Sequence, residues 1–289
     1  MPAMPFRFKQ SEFPAKALRR VCRERVDVAL DCLRRPGHPA AVHGARKEIK
    51  KLRALFRLMR GGMSAGAYRK GVKALRAAAD CLAATRDARV MLKAFHKLAG
   101  PAAPKFAGLE RALEKHARRE SRRFRRDHSV AEAGRWLRKT HRRMDRLGLK
   151  LTGWAAMEPG LKLSYQRGRD ACRLARRQPA AENFHAWRRE VKDLWYYFCL
   201  LEPVCPAATR AAANALERLG ERLGEDHDLF LLARFAAERA DAEAEPVKVL
   251  ERLIGARQRR LRAAALKLGA RLYAEAPAAF CRRLGRWRR

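Results

Sequence analysis

Apolar residues recur every three or four positions along most of the chain, which is the period of an amphipathic helix. Winding residues 42–60, VHGARKEIKKLRALFRLMR, at about 100° per residue gathers the large apolar side chains on one side. The same holds for residues 184–201, FHAWRREVKDLWYYFCLL. The first set is Ile49, Leu52, Leu55, Phe56 and Met59, and the second is Val191, Leu194, Phe198 and Leu201. Both stretches predict helices with one face in a core.

Glycine and proline divide this pattern into eight helical segments. The first half predicts helices over about 11–34, 39–60, 66–98 and 106–147, with turns interrupting the last two. The second half predicts helices over about 161–177, 181–201, 206–239 and 246–274. Because Gly and Pro are sparse and Ala, Leu, Arg, Lys and Glu dominate, the predicted fold class is all-α.

The two halves also resemble each other in sequence. FHAWRREVKDLW aligns with VHGARKEIKKLR, and DHDLFLLA aligns with TRDARVML, which sets Asp228 opposite Asp87. An internal duplication predicts a single domain over 1–289, with repeat 1 at about 11–150 and repeat 2 at about 155–289. Short loops between four helices in each repeat predict two four-helix bundles related by a pseudo-twofold axis.

The net charge points to the class of partner. Lys and Arg total 67 against 30 Asp and Glu, a formal net charge of +37 over 289 residues. Such a charge repels itself and lowers folding stability, so it favours a function in binding a polyanion. With 48% hydrophobic residues the chain has enough apolar surface for a core, which excludes an intrinsically disordered protein.

The positive charge gathers on the side of each duplicated helix that lies opposite its apolar face. In the first copy the basic sector, about 60° either side of His43, holds Arg46, Lys47, Lys50 and Arg57, with Arg53 at its edge. In the second copy it holds His185, Arg188, Arg189 and Lys192, joined by Tyr196. A solvated face usually mixes both signs in i,i+4 pairs, so the pattern favours an anion-binding surface. Arg20 and Lys162 are the predicted neighbours on the preceding helices.

Neither catalysis nor a metal site is predicted. No acid stands at triad-like or metal-like spacing around His43 or His185, so we interpret both as anion contacts. Too few carboxylates converge for a metal ion, and Asp87 and Asp228 are interpreted as structural, capping a helix or pairing with Arg. The sequence has no Walker A loop, H-E-x-x-H or G-x-S-x-G motif, and no cofactor is expected.

Further features bear on where the protein works. No apolar run approaches the roughly 20 residues of a membrane-spanning helix, and MPAMPFRFKQ lacks the apolar stretch of a secretory signal. Seven scattered cysteines without a C-x-x-C pair are typical of reduced thiols, so we expect a cytoplasmic protein with no membrane insertion. The segment 118–126, RRESRRFRR, is basic on all sides, which is as consistent with solubility as with ligand binding.

The His-led helices, VHGARKEIKKLR and FHAWRREVKDLW, resemble those of the CHAD family, the conserved-histidine α-helical domains. TRDARV and LGEDHDLFLL resemble two further segments of that family, and the resemblance covers nearly the whole chain. It implies a duplicated four-helix unit whose basic central groove or pore binds inorganic polyphosphate, often at polyphosphate granules. Trp195 and Asp193 align with Arg53 and Lys51 of the first half, which implies that the second half binds less tightly or through fewer residues.

The charge also leaves other functions open. Nucleic acid is a polyanion held by salt-sensitive contacts, so general RNA or DNA binding is the main alternative. Nucleic acid as a weaker ligand beside polyphosphate is compatible with the same charge. Few aromatic residues accompany the basic faces, which disfavours base stacking. A metal-dependent polyphosphate-processing enzyme is the less favoured alternative, and a granule scaffold is compatible with binding. For polyphosphate binding, we expect the two basic faces to meet in one cleft.

Overall fold

Eleven α-helices make up the part of the chain that a computed structural model describes, namely residues 6–9, 12, 14–34, 39–126, 129–145, 153–203, 206–239 and 244–286. The first six are α1 (Pro14–Leu33), α2 (Pro39–Leu58), α3 (Ala65–Asp80), α4 (Ala83–Ala99), α5 (Ala107–Arg126) and α6 (Ser129–Asp145). The others are α7 (Glu158–Arg177), α8 (Ala181–Leu201), α9 (Pro206–Ala237), α10 (Ala244–Leu272) and α11 (Pro277–Arg286). No strand occurs within these ranges, which confirms the all-α fold class.

The helix bounds follow the apolar pattern and differ from it mainly at the turns. The segment predicted over 66–98 is two helices, α3 and α4, separated at Cys81 and Leu82, whereas α9 runs unbroken for 32 residues. The segment predicted over 106–147 is likewise α5 and α6, and α11 follows the last predicted helix. The predicted helix start at 11, the break at 35–38 and the helix end at 146–147 lie outside the described residues.

One apolar core joins the N-terminal and C-terminal helices. α1, α2, α3 and α6 pack together, α7, α8 and α9 pack in chain order, and α2 contacts both α7 and α8. Leu55 and Phe56 of α2 and Phe198 of α8 belong to the same buried cluster. A Cβ at Gly160 would overlap the carbonyl oxygen of Leu58, so α7 can begin against the end of α2 because residue 160 is glycine.

In a second apolar core, α4 and α5 pack against the C-terminal helices. Phe95 of α4 and Leu109 of α5 are buried in one cluster with Leu232 of α9 and Leu250 of α10. The turn at Cys81 and Leu82 separates α4 from α3, and α4 packs on α5 and α9. The helix pair α4–α5 therefore lies on the pair α9–α10, far from it in sequence.

The helix surfaces are charged rather than apolar. Among the described residues, the large hydrophobic side chains that are exposed are Val249 and Leu253, both on α10. In the same ranges, no helix combines the length and the apolar composition needed to cross a membrane.

Candidate functional site

α2 and α8 turn their basic faces toward two adjoining cavities. The larger has a volume of about 640 Å³ and the smaller of about 290 Å³. Both cavities are lined by Arg46 and Lys50 of α2 and by Arg188, Lys192 and Tyr196 of α8. Because the two cavities share these side chains, we name them together the α2–α8 cleft.

Most of the predicted site residues line this cleft. The larger cavity adds His43 and Lys47, and the smaller adds Arg53, Arg57, His185 and Arg189. Arg20 and Lys162 line neither cavity. Arg20 instead forms ion pairs with Glu12 at 2.6 Å and Glu24 at 2.8 Å. The hydrogen bond to Glu12 is the largest cause of the raised pKa of Arg20.

An acid of one half lies at the same cavity as the histidine of the other half. Asp228 of α9 lines the larger cavity with His43, and Asp87 of α4 lines the smaller cavity with His185. The ring of His227 lies against that of His185, with centroids 4.0 Å apart and planes inclined by 34°. A phosphate bound among these rings would favour their protonated forms.

Lys192 lies in an aromatic corner of the cleft. Its Nζ is 3.5 Å from the ring centroid of Trp195 and 5.6 Å from that of Tyr196. Burial, followed by the nearby charge of Arg188, lowers the pKa of Lys192 to about 8. A bound anion would raise this pKa because it stabilises the ammonium form.

Two glycines of α9 make room for the cations of α8. A Cβ at Gly220 would lie 3.0 Å from Lys192 Cδ, and a Cβ at Gly224 would lie 3.3 Å from Arg188 Nε. Residues four apart share a helix face, so Gly220 and Gly224 lie one turn apart on α9 and face Lys192 and Arg188, which lie one turn apart on α8. Both long side chains can therefore run along the backbone of α9 to the cleft.

Some cations of the cleft are already paired with acids. Arg57 forms an ion pair with Asp193, whose carboxylate is buried. Burial raises the pKa of Asp193 to about 6, and the charge of Arg57 opposes that rise. In the larger cavity, Lys97 Nζ lies 2.6 Å from the carboxylate of Glu225, which also accepts a hydrogen bond from Arg257. Arg57 and Lys97 thus add little net charge.

Arg53 offers a buried donor. Its Nε makes no hydrogen bond to any described residue. Burial, followed by the charge of Arg57, lowers the pKa of Arg53, although a guanidinium remains charged at neutral pH. An unsatisfied buried N–H is unfavourable, so an anion that accepts this hydrogen bond would be stabilised here.

Apart from Asp87 and Asp228, the residues that α4 and α9 contribute to the cleft were not predicted from the sequence. Lys93 and Lys97 of α4 and Glu221 of α9 line the larger cavity, and His227 lines the smaller one. Arg89, Lys93 and Lys97 recur at four-residue spacing, which signals a basic helix face. Helical periodicity cannot reveal that this face points to the α2–α8 cleft, because α4 is positioned by its packing on α9.

The cleft is suited to holding an extended anion. Lys and Arg outnumber Asp and Glu among its lining residues. Guanidinium groups donate paired hydrogen bonds to phosphate oxygens, and ammonium groups act as point charges. Across the described ranges, no group of three or more His, Cys, Asp or Glu is arranged to hold a metal ion.

Comparison with known proteins relates this fold to a family. The family model described as "CHAD domain" matches residues 16–237. The crystal structure of the CHAD domain from the plant Ricinus communis matches with a TM-score of 0.62 and 19% sequence identity, covering 94% of this chain and 96% of that chain. At this identity the likeness concerns the fold alone. No curated protein sequence gave a significant match.

Proposed function

The chain belongs to the CHAD domain family, a family associated with polyphosphate binding, and from this premise we propose that it binds inorganic polyphosphate in the α2–α8 cleft. The binding is non-catalytic, so the protein holds the polymer without cleaving it. The internal duplication belongs to the same proposal, because it gives the cleft one basic helix from each half. Binding to granule polyphosphate would hold the protein at cytoplasmic granules.

One observation supports this proposal most strongly. Arg46 and Lys50 of α2 line the same two cavities as Arg188 and Lys192 of α8, although the two helices are far apart in sequence. Polyphosphate is a linear anion with charge on every phosphate and no bases to recognise. A cleft with cations on two walls therefore supplies what its recognition needs.

Nucleic acid fits the cleft less well. Stacking on aromatic rings contributes about 1–3 kcal/mol per base to single-strand binding. The indole and phenol rings that line the larger cavity offer little surface to a base, since Lys192 Nζ lies 3.5 Å from the ring centroid of Trp195 and Tyr196 is buried. The phosphates of a nucleic acid could approach the cleft, but its bases would gain little stacking on Trp195 or Tyr196.

Competition between polyanions tests the ligand. A labelled polyphosphate is bound to the protein and displaced by unlabelled polyphosphate, single-stranded DNA or duplex DNA at matched phosphate concentrations. We expect unlabelled polyphosphate to displace the label at the lowest phosphate concentration. Equal displacement by duplex DNA would assign general polyanion binding instead.

A separate experiment tests whether the protein cleaves polyphosphate. Polyphosphate of defined length is incubated with the purified protein and Mg²⁺ or Mn²⁺, and its length is followed by gel electrophoresis. We expect the length to stay constant. Shortening that depends on the protein would replace the binding proposal with a processing enzyme.

A further inference from the structure

A second basic surface adjoins the cleft along α4 and α5. A cavity of about 610 Å³ is lined by Arg89 and Lys93 of α4 and by Arg118 and Arg122 of α5, among others. A neighbouring cavity of about 810 Å³ is lined by α5 residues between Arg111 and Arg123. We name these two cavities the α4–α5 surface.

Shared side chains make the cleft and this surface continuous. Lys93 lines both the larger cavity of the α2–α8 cleft and the 610 Å³ cavity. Arg118 and Arg122 line both cavities of the α4–α5 surface. A polymer that leaves the cleft beside Lys93 therefore reaches further cations without crossing a neutral region.

The cations of α5 form a linear array. Four of them lie within a sector of about 60°, and Leu109, on the opposite side, is buried in the second core. These four are Arg111, Lys115, Arg118 and Arg122. At 1.5 Å per residue they extend over about 16 Å along the helix. Such an array matches a segment of an extended polymer better than a single small anion.

Acids compensate little of this charge. Glu114 is the one acid that lines the α4–α5 surface in the described ranges, and it lies 3.2 Å from Arg118. On α4, His96 is paired with Glu110 at 2.8 Å. Like charges three and four residues apart weaken a helix, so the linear array of cations on α5 lowers the stability of that helix unless an anion lies along it.

We propose that the α4–α5 surface binds the continuation of the phosphate chain that occupies the α2–α8 cleft. This inference rests on the proposed function and extends it from one cleft to a track for long polyphosphate. In the described part of the chain, no Phe, Tyr or Trp lines this surface, so it favours a polyanion without bases over nucleic acid. A chain held at the cleft reaches the second surface intramolecularly, which makes long chains bind more tightly than short ones.

A variant of α5 with a matched control tests the track. The α5 variant replaces Lys115, Arg118 and Arg122, all exposed, with Gln, which keeps the helix propensity. The control makes the same change at three other exposed cations, Arg252, Arg259 and Arg282, which line none of the four cavities. The two variants lose equal charge, so a difference between their affinities reflects where on the protein the charge was lost. Arg122→Gln alone is the substitute if the triple variant does not fold.

Binding of tripolyphosphate and of a size-fractionated long-chain polyphosphate is measured over a series of salt concentrations. We expect the α5 variant to bind the long chain about tenfold more weakly than the control, with a salt slope smaller by about 2. Its affinity for tripolyphosphate should equal that of the control. Equal long-chain affinities of the two triple variants would overturn the track.

Two further results separate the competing explanations. If the α5 variant loses affinity for single-stranded DNA but not for long-chain polyphosphate, the surface is a nucleic-acid site and the inference is wrong. If the unaltered protein binds neither phosphate polymer, the proposed function itself fails. A third result would separate the two proposals. If Lys50→Gln/Lys192→Gln loses tripolyphosphate binding while the α5 variant binds long chains as well as its control, the proposed cleft site stands and only the track is wrong.

Discussion

Arg57 of α2 forms an ion pair with Asp193 of α8, so a cation predicted to bind phosphate already has an acidic partner on the other basic helix. The Asp193 side chain is 8% exposed and that of Arg57 is 25% exposed. In the alignment of the two halves of the sequence, Asp193 is notable only as an acid that aligns with Lys51. The contact gives it a structural role, since it ties α2 to α8 at the smaller cavity of the cleft.

Replacing Arg57 with Ala should destabilise the protein more at about pH 8 than at about pH 5.5. Burial already raises the pKa of Asp193 to about 6, and loss of the opposing charge of Arg57 raises it further. The folded variant then binds more protons than its unfolded chain, so its stability falls as the pH rises through this pKa. The extra loss is at most about 1.4 kcal/mol per pH unit.

Urea unfolding at the two pH values measures this difference in the free energy of unfolding. Arg57→Lys is the control, because it keeps a positive charge near Asp193 and should lose less stability at the higher pH. A penalty for Arg57→Ala that is the same at both pH values would contradict the assignment.

Gly220→Ala and Gly224→Ala should raise stability while weakening polyphosphate binding. Alanine in a helix interior is more stable than glycine by about 0.5–1 kcal/mol. The new methyl groups would meet the side chains of Lys192 and Arg188 and turn them away from their present paths. Because these side chains are flexible, we expect a loss of about threefold in affinity for each substitution.

Gly255→Ala on α10 is the matched control for the glycines. Among the described residues, its Cβ would meet Arg259 Nη1 alone, at an ordinary 3.5 Å. It should raise stability and leave the affinity unchanged. Thermal melts and titrations of all three variants give both quantities, and unchanged affinity in the α9 variants would remove the role assigned to these glycines.

Local sequence patterns predicted much of the fold. The apolar period of 42–60 and 184–201 corresponds to α2 and α8, because burial of one helix face is a local property of the sequence. The break between α3 and α4 and the docking of α4–α5 on α9–α10 were not predicted in detail. They depend on packing between distant parts of the chain, such as Phe95 and Leu232, which belong to one buried cluster.

The candidate site was predicted in a similar way. His43, Lys50, Arg188 and Lys192 follow from charge on one helix face, and the structure brings them to one cleft. Their role in binding stays a prediction. Arg20 lies elsewhere and is paired with Glu12, since alignment of the two halves does not reveal which acids surround a residue.

Replacing Lys50 and Lys192 together with Ala should weaken polyphosphate binding by roughly 30-fold or more, since each lost charged contact costs ~1–1.5 kcal/mol. Removing like charges from the cleft should leave the helical content unchanged, as circular dichroism would verify. Lys73→Ala/Lys267→Ala is the control with equal charge, because both side chains are exposed and line neither cavity of the cleft. Equal losses of affinity in the two double variants would move the site out of the cleft.

The affinity for polyphosphate should fall as the pH rises above about 8. Burial and the charge of Arg188 lower the pKa of Lys192 to about 8, and bound phosphate shifts it back toward the ordinary 10.5. Between these values binding takes up a proton, so the affinity decreases by up to about tenfold per pH unit. Lys192→Arg keeps its charge throughout and should lose most of this dependence. Affinity is measured for the unaltered protein and for Lys192→Arg from about pH 7 to pH 9.5. Parallel curves of affinity against pH would contradict the role assigned to Lys192.

Polyphosphate should also stabilise the folded protein. The cations of the cleft repel one another, and a bound polyanion removes that repulsion while binding only the folded arrangement. At a free concentration 100 times the dissociation constant, the linkage relation gives a gain of about 2.7 kcal/mol, measured as a rise in Tm. Added NaCl should reduce the gain because the contacts are electrostatic. Orthophosphate at equal phosphate concentration should stabilise less, since single ions cannot span both walls of the cleft. An equal rise in Tm with orthophosphate would mean that the cleft binds isolated phosphate groups and not a continuous chain.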